Sequence, residues 1–275
     1  MNPELRLIRC RWVIAIWAVG FIVAIVGSLA MERLMAPISG FWITAALFFI
    51  AYGGIAFGLY LACRSHGIRI LQLIGPIPQL GRVVAYSLMA IPVFLSSLGG
   101  AWLISLFAPH FFDGLINDVL RNKPAGPLQM LLTFVMFVVV GPAVEEFTFR
   151  GLLFTRLSVK YSPRKAIVIS SLMFGLLHFD FIGAFIFGLV AASLYAQSRS
   201  LIAPLALHSM NNLIAFAGLF ADTSSDAPIP SWIGLPGLFI GVAICAYLFA
   251  RWTRQTVVPP YLASSMALEI GERGG

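Results

Sequence analysis

The sequence predicts an all-α fold: a polytopic membrane helix bundle of about eight transmembrane helices, with the N and C termini cytoplasmic. Three observations predict it. Only 11% of the 275 residues are charged, against about 25% in a soluble domain, and mean hydropathy is +0.93. The apolar residues fall into runs long enough to cross a hydrocarbon core of about 30 Å. The basic residues fall almost wholly into alternate connectors between those runs.

The first run, Trp12–Met31, follows Arg6, Arg9 and Arg11. That charge pattern suits a signal peptide, and Ser28-Leu29-Ala30 offers a small-x-small cleavage site. The run exceeds an h-region of about 7–15 residues, so an uncleaved first span is expected. Further spans are predicted at Phe41–Cys63, Val83–Ala108, Pro127–Phe149, Ala166–Phe179, Phe181–Gln197, Leu201–Phe220 and Trp232–Ala250. The fifth and sixth are short and joined tightly at Asp180. Gly75-Pro76-Ile77-Pro78, Pro124 to Pro127 and Asp222 to Pro230 punctuate the connectors.

With the N-terminus inside, fifteen Lys and Arg residues fall on the inner side and three (Arg33, Arg121 and Lys123) on the outer side. This positive-inside bias supports an even number of spans. Residues 1–275 form one transmembrane domain, with a candidate catalytic core over 127–220 and a cytoplasmic tail over 255–275. Membrane topology accounts for the net charge of +7, and no nucleic-acid partner is expected. Cys10, Cys63 and Cys245 lack C-x-x-C spacing and are read as small apolar residues. Two G-x-x-x-G spacings, Gly54 to Gly58 and Gly237 to Gly241, mark close helix packing within the bundle. The oligomeric state stays open.

The chemistry concentrates in Gly141–Arg150, which reads GPAVEEFTFR at the end of an apolar run. A charge at the centre of a bilayer helix costs about 2.5–3.5 kcal/mol on insertion scales, so intramembrane ionisable residues are functional candidates. Glu146 and Arg150 are four residues apart, on one helix face, and an ion pair there lowers the cost of burying both. Glu145 points about 100° away and is left for another task. Pro142 removes a backbone donor and leaves the carbonyl of Val138 without its helical partner.

Of four histidines, His66 and His110 fall in connectors, while His178 and His208 fall inside predicted spans. Phe174 stands one turn before His178, and Asn212 one turn after His208. Counting from the predicted cytoplasmic ends, Glu145, His178 and His208 lie roughly 16, 18 and 10 Å deep, so a common layer is open to them. A carboxylate and an imidazole can deprotonate a water between them. A second imidazole and an amide can hold the oxyanion formed when that water attacks a carbonyl. Glu145, His178 and His208 are equally the donor types of a His₂Glu zinc site, so the cofactor is either none or a divalent metal, zinc. No H-E-x-x-H occurs.

Together E-E-x-x-x-R (Glu145, Glu146, Arg150), F-x-x-x-H (Phe174, His178) and H-x-x-x-N (His208, Asn212) resemble the CAAX-processing and bacteriocin-processing (CPBP) intramembrane protease family. That family includes the type II CAAX prenyl endopeptidases. The resemblance implies a multi-spanning helical fold and peptide-bond hydrolysis within the membrane. It implies that Glu145 and His178 activate water, that His208 and Asn212 stabilise the oxyanion, and that Glu146 and Arg150 support them. Its members have been described both as metalloproteases and as metal-free, glutamate-dependent enzymes. The expected partners are a membrane-anchored protein or peptide substrate and the bilayer itself, in a prokaryotic plasma membrane. A non-catalytic immunity or assembly factor and a proton-coupled transporter are the alternative readings.

Overall fold

The computed structural model describes residues 10–34, 40–110, 124–220 and 231–253. Among the described residues every regular element is helical. The helices, in chain order, are α1 (Cys10–Leu34), α2 (Gly40–Ser65), α3 (Ile70–Ile74), α4 (Leu80–Leu88) and α5 (Ala90–Phe107). Then come α6 (Pro127–Lys160), α7 (Pro163–Gly175), α8 (Phe181–Ser198), α9 (Ile202–Gly218) and α10 (Ser231–Thr253). The predicted tail 255–275, the connector Asp222 to Pro230 and the acidic and basic residues of 111–123 lie outside the described residues.

Among the described residues five helical stretches are long and apolar enough to cross a membrane: Cys10–Gly27, Gly40–Ser65, Leu80–Phe107, Pro127–Lys160 and Phe181–Ser198. A shorter apolar stretch, Ile233–Tyr247, lies in α10. The fifth predicted span is short, as expected, but the second short helix is the seventh span, α9, and not the sixth, α8, which has 18 residues. Helix α7 has 13 residues and α9 has 17. At 1.5 Å per residue α7 extends only about 20 Å, short of a hydrocarbon core of about 30 Å.

Helix α8 is the centre of the bundle. Of its apolar window 61% is buried, against 17% for α1. Its small residues, Gly183, Gly188, Ala191 and Ala192, admit neighbours at close range: a Cβ on Gly188 would overlap Ser171 of α7. Buried polar side chains, among them Ser96, Thr133, Ser170 and Ser193, face this interior. Large apolar ones such as Ile22, Phe57, Leu131 and Phe239 face outward. Water would reverse that distribution; lipid permits it.

The predicted G-x-x-x-G pairs divide. A Cβ on Gly237 would come within 3.0 Å of the Leu95 carbonyl oxygen, and one on Gly241 would overlap Ser96, so both bring α10 against α5. Gly58 faces Ile16 of α1, while nothing lies within 4 Å of a Cβ on Gly54.

Helix α6 does not stop at Phe149 as predicted but continues to Lys160. Arg150 does not end the span, because it is buried (1% exposed) and paired inside the bundle. It therefore drops out of the loop charges, and the inner count becomes fourteen, the fifteen less Arg150. Two stretches of α6, Val135–Val140 and Phe147–Phe154, are π-helical. The N–H of Gly141 donates to the Met136 carbonyl, five residues back. Such wide turns inside an α-helix recur at functional sites. In this chain they flank the short α-helical stretch Gly141–Glu146 that carries the paired glutamates.

His178 is likewise displaced from its predicted setting. Helix α7 ends at Gly175, and His178 lies in the tight turn beyond it, where its N–H donates to the Gly175 carbonyl. Asp180 then caps α8, accepting from the Gly183 N–H at 3.0 Å.

Candidate active site

Adjacent positions on a helix point about 100° apart, and the two buried glutamates of α6 use that difference. Glu146 (0% exposed) turns into the bundle, and its Oε1 accepts from Arg150 Nη1 at 2.8 Å and from His208 Nδ1 at 2.7 Å. Glu145 (8% exposed) turns to a cavity of about 540 Å³.

Arg150 is held from both sides. Its guanidinium lies 4.5 Å from the centroid of Phe174 and 5.3 Å from that of Phe187. The negative ring faces and the Glu146 carboxylate replace the water that a buried guanidinium loses. Phe174 also packs on both imidazoles, with ring centroids 4.3 Å from His178 and 5.9 Å from His208. Phe187 of α8 stands 4.6 Å from His208. The phenylalanine of the F-x-x-x-H motif thus organises three motif side chains at once.

The hydrogen bonds assign the tautomers. His178 Nδ1 lies 2.8 Å from the Phe174 carbonyl oxygen, which can only accept, so Nδ1 carries the proton. His208 Nδ1 donates to Glu146 in the same way. Each ring then turns its Nε2 towards Glu145 Oε2, at 3.9 Å for His178 and 3.7 Å for His208. These separations exceed a direct hydrogen bond and are of the size at which a water bridges polar groups. His178 is about one-third exposed and His208 is nearly buried.

Asn212 reaches the same cavity from α9. Its Nδ2 donates to the Phe137 carbonyl oxygen at 2.8 Å. Sequence reasoning placed the carbonyl orphaned by Pro142 at Val138, four residues back; the π-helical turn moves it by one. In i→i+5 register the donor facing Phe137 is residue 142, a proline with no N–H. The freed carbonyl holds the Asn212 amide, whose second hydrogen remains free for another acceptor.

Glu145, His178, His208 and Asn212, drawn from α6, the α7–α8 turn and α9, therefore line one cavity. The rest of the lining is mainly apolar and aromatic, including Trp17, Phe48 and Phe216. Sequence reasoning missed one polar contributor, Tyr52 of α2, whose hydroxyl donates to Glu145 Oε1 at 2.6 Å. The signal was present. Tyrosine concentrates at membrane interfaces, where its hydroxyl reaches water. Tyr52 sits midway along an apolar span, where a hydroxyl needs a protein partner. Phe187 gave no such signal, being one aromatic among many in an apolar helix.

The donor types of Glu145, His178 and His208 suit zinc, but their spacing does not. Tetrahedral ligands about 2.0–2.1 Å from zinc stand about 3.3 Å apart, closer than the 3.7 and 3.9 Å between Glu145 and the imidazoles. Among the described residues no group of three His, Cys, Asp or Glu side chains is arranged to hold a metal ion.

No curated protein matches the chain, and no solved structure matches it. One family model does, described as type II CAAX prenyl endopeptidase Rce1-like, over residues 127–214. That segment, about a third of the chain, contains all three motifs. The resemblance carried by the motifs and the family match agree: residues 127–214 are similar to the Rce1-like type II CAAX prenyl endopeptidases.

Proposed function

We propose that the protein is an intramembrane endopeptidase that hydrolyses membrane-anchored protein or peptide substrates with water activated by Glu145 and His178. The observation that carries this reading is the convergence of Glu145 Oε2 with the Nε2 atoms of His178 and His208 on one cavity wall. A water held between Glu145 Oε2 and His178 Nε2 gives up a proton to that pair as its oxygen attacks the scissile carbonyl. His208, protonated on both nitrogens beside Glu146, donates Nε2–H to the oxyanion, and Asn212 donates its free amide hydrogen. The C–N bond then breaks and the stored proton passes to the leaving amine, giving a carboxylic acid and an amine. No covalent intermediate forms.

The reaction runs without a bound metal. The spacing of the three donors supports this. The bundle spans the membrane eight times, α7 and α9 being the two short crossings, with both termini cytoplasmic in a prokaryotic plasma membrane. The inner count of fourteen basic residues against three outer ones supports that orientation.

The test compares membrane peptides by mass spectrometry from cells carrying the wild-type protein and Glu145→Gln at equal expression. The expected result is a set of cleaved termini seen with wild type and lost with Glu145→Gln. Identical peptides in the two samples would sink the hydrolase reading. Cleavage of the same peptide by purified, chelator-treated protein of verified metal content checks the metal-free route; loss on chelation with recovery on added zinc would overturn it.

A further inference from the structure

We infer that Tyr52, outside the segment that matches the family model, is a positioning residue: its hydroxyl selects which oxygen of Glu145 meets the water. The inference rests on the hydrolase reading above. A carboxylate on a flexible side chain has two interchangeable oxygens, and its last torsion is broad. Tyr52 removes that equivalence. Its hydroxyl donates to Oε1 at 2.6 Å, within the range of O–H···O⁻ bonds to an ionised acceptor. Oε2 alone is then turned to the two imidazoles.

The phenol is itself held in place. Its ring stacks on Phe48 at 4.1 Å with an interplanar angle of 16°, and meets Trp17 edge-on at 5.8 Å. Trp17 Nε1–H donates to Thr148 Oγ1 at 3.2 Å, one turn along α6 from Glu145. The path from α6 through Trp17 of α1 and Tyr52 of α2 therefore returns to α6. The glutamate's orientation is set by two helices outside the matched segment. A hydroxyl that merely needed a partner on burial would produce the same contact, so the test must separate orientation from space-filling.

The full-length protein is reconstituted in phosphatidylcholine–phosphatidylglycerol vesicles. The probe is an internally quenched copy of a membrane peptide whose cleavage depends on Glu145. Tyr52→Phe keeps the ring between Phe48 and Trp17 and deletes only the hydroxyl. Its kcat is expected to fall roughly 10- to 100-fold, the worth of a hydrogen bond to a charged group, with KM unchanged. Replacing Tyr52 by 3,5-difluorotyrosine keeps the hydroxyl and strengthens it as a donor, and kcat should change again with KM unchanged. Should Tyr52→Phe fail to fold, as read by thermal unfolding, the fluorinated protein carries the test. A wild-type kcat in both variants, or a loss confined to KM, overturns the role of Tyr52 and leaves the hydrolase standing. Absence of any Glu145-dependent cleavage removes both.

Discussion

Helices α6 to α9 and helices α1 and α2 meet at the same cavity and bring different things to it. The first group supplies Glu145, His178, His208 and Asn212, and behind them the dry assembly of Glu146, Arg150, Phe174 and Phe187. The second supplies aromatic walls (Trp17, Phe21, Phe48) and the Tyr52 hydroxyl that donates to Glu145. Burial follows the same division: most of α8 is enclosed, whereas most of α1 faces outward. Reactive groups must be held by neighbours that cannot relax, because a buried charge without its partner is costly. Walls tolerate a looser fit. The family match over 127–214 covers the polar residues of the cavity and the paired charges behind them.

Three substitutions would break or sharpen that contrast. Arg150→Leu strikes the enclosed half, leaving the Glu146 carboxylate with His208 as its one remaining ionic partner. A loss of about 3–5 kcal/mol is expected for breaking a buried pair, seen as a large drop in unfolding temperature in detergent micelles together with loss of cleavage. A tolerated Arg150→Leu would remove the distinction between the two halves. Asn212→Ala acts on the reaction more than on the fold, since the Phe137 carbonyl it leaves lies at the cavity wall. Loss of one oxyanion donor lowers kcat by about 10²–10³, measured on the quenched membrane peptide; a kcat within a few-fold of wild type would take Asn212 out of the oxyanion site. Trp17→Phe strikes the wall. It keeps an aromatic ring and deletes the bond to Thr148, costing about 0.5–1.5 kcal/mol. A destabilisation as large as that of Arg150→Leu would show α1 to be part of the rigid core.

Much of the fold was legible because lipid imposes simple rules. Long apolar runs become helices, since no other open structure satisfies its backbone groups in hydrocarbon, and α1, α2, α5, α6, α8 and α10 lie where such runs predict them. The errors fall where pairing replaced polarity. Arg150 looked like the end of a span because a lone arginine would be one, but Glu146 and two aromatic rings enclose it. His178 looked helical because the three residues before it are apolar, yet the chain turns after Gly175 to bring its ring over Phe174. The carbonyl freed by Pro142 was misplaced by one residue because helical register is set by packing, and the π-helical stretch shifts each partner along the chain.

The sequence by itself determined that this is a membrane helix bundle and singled out Glu145, His178, His208 and Asn212, which line one cavity, because charges and imidazoles inside apolar runs have few affordable explanations. Only the tertiary structure decided how they work together: Glu146 to His208, Asn212 to the Phe137 carbonyl, and Tyr52 to Glu145. Those pairings join positions 62, 75 and 93 residues apart. Helical periodicity extends only a turn or two, so contacts at that range are set by how whole helices pack.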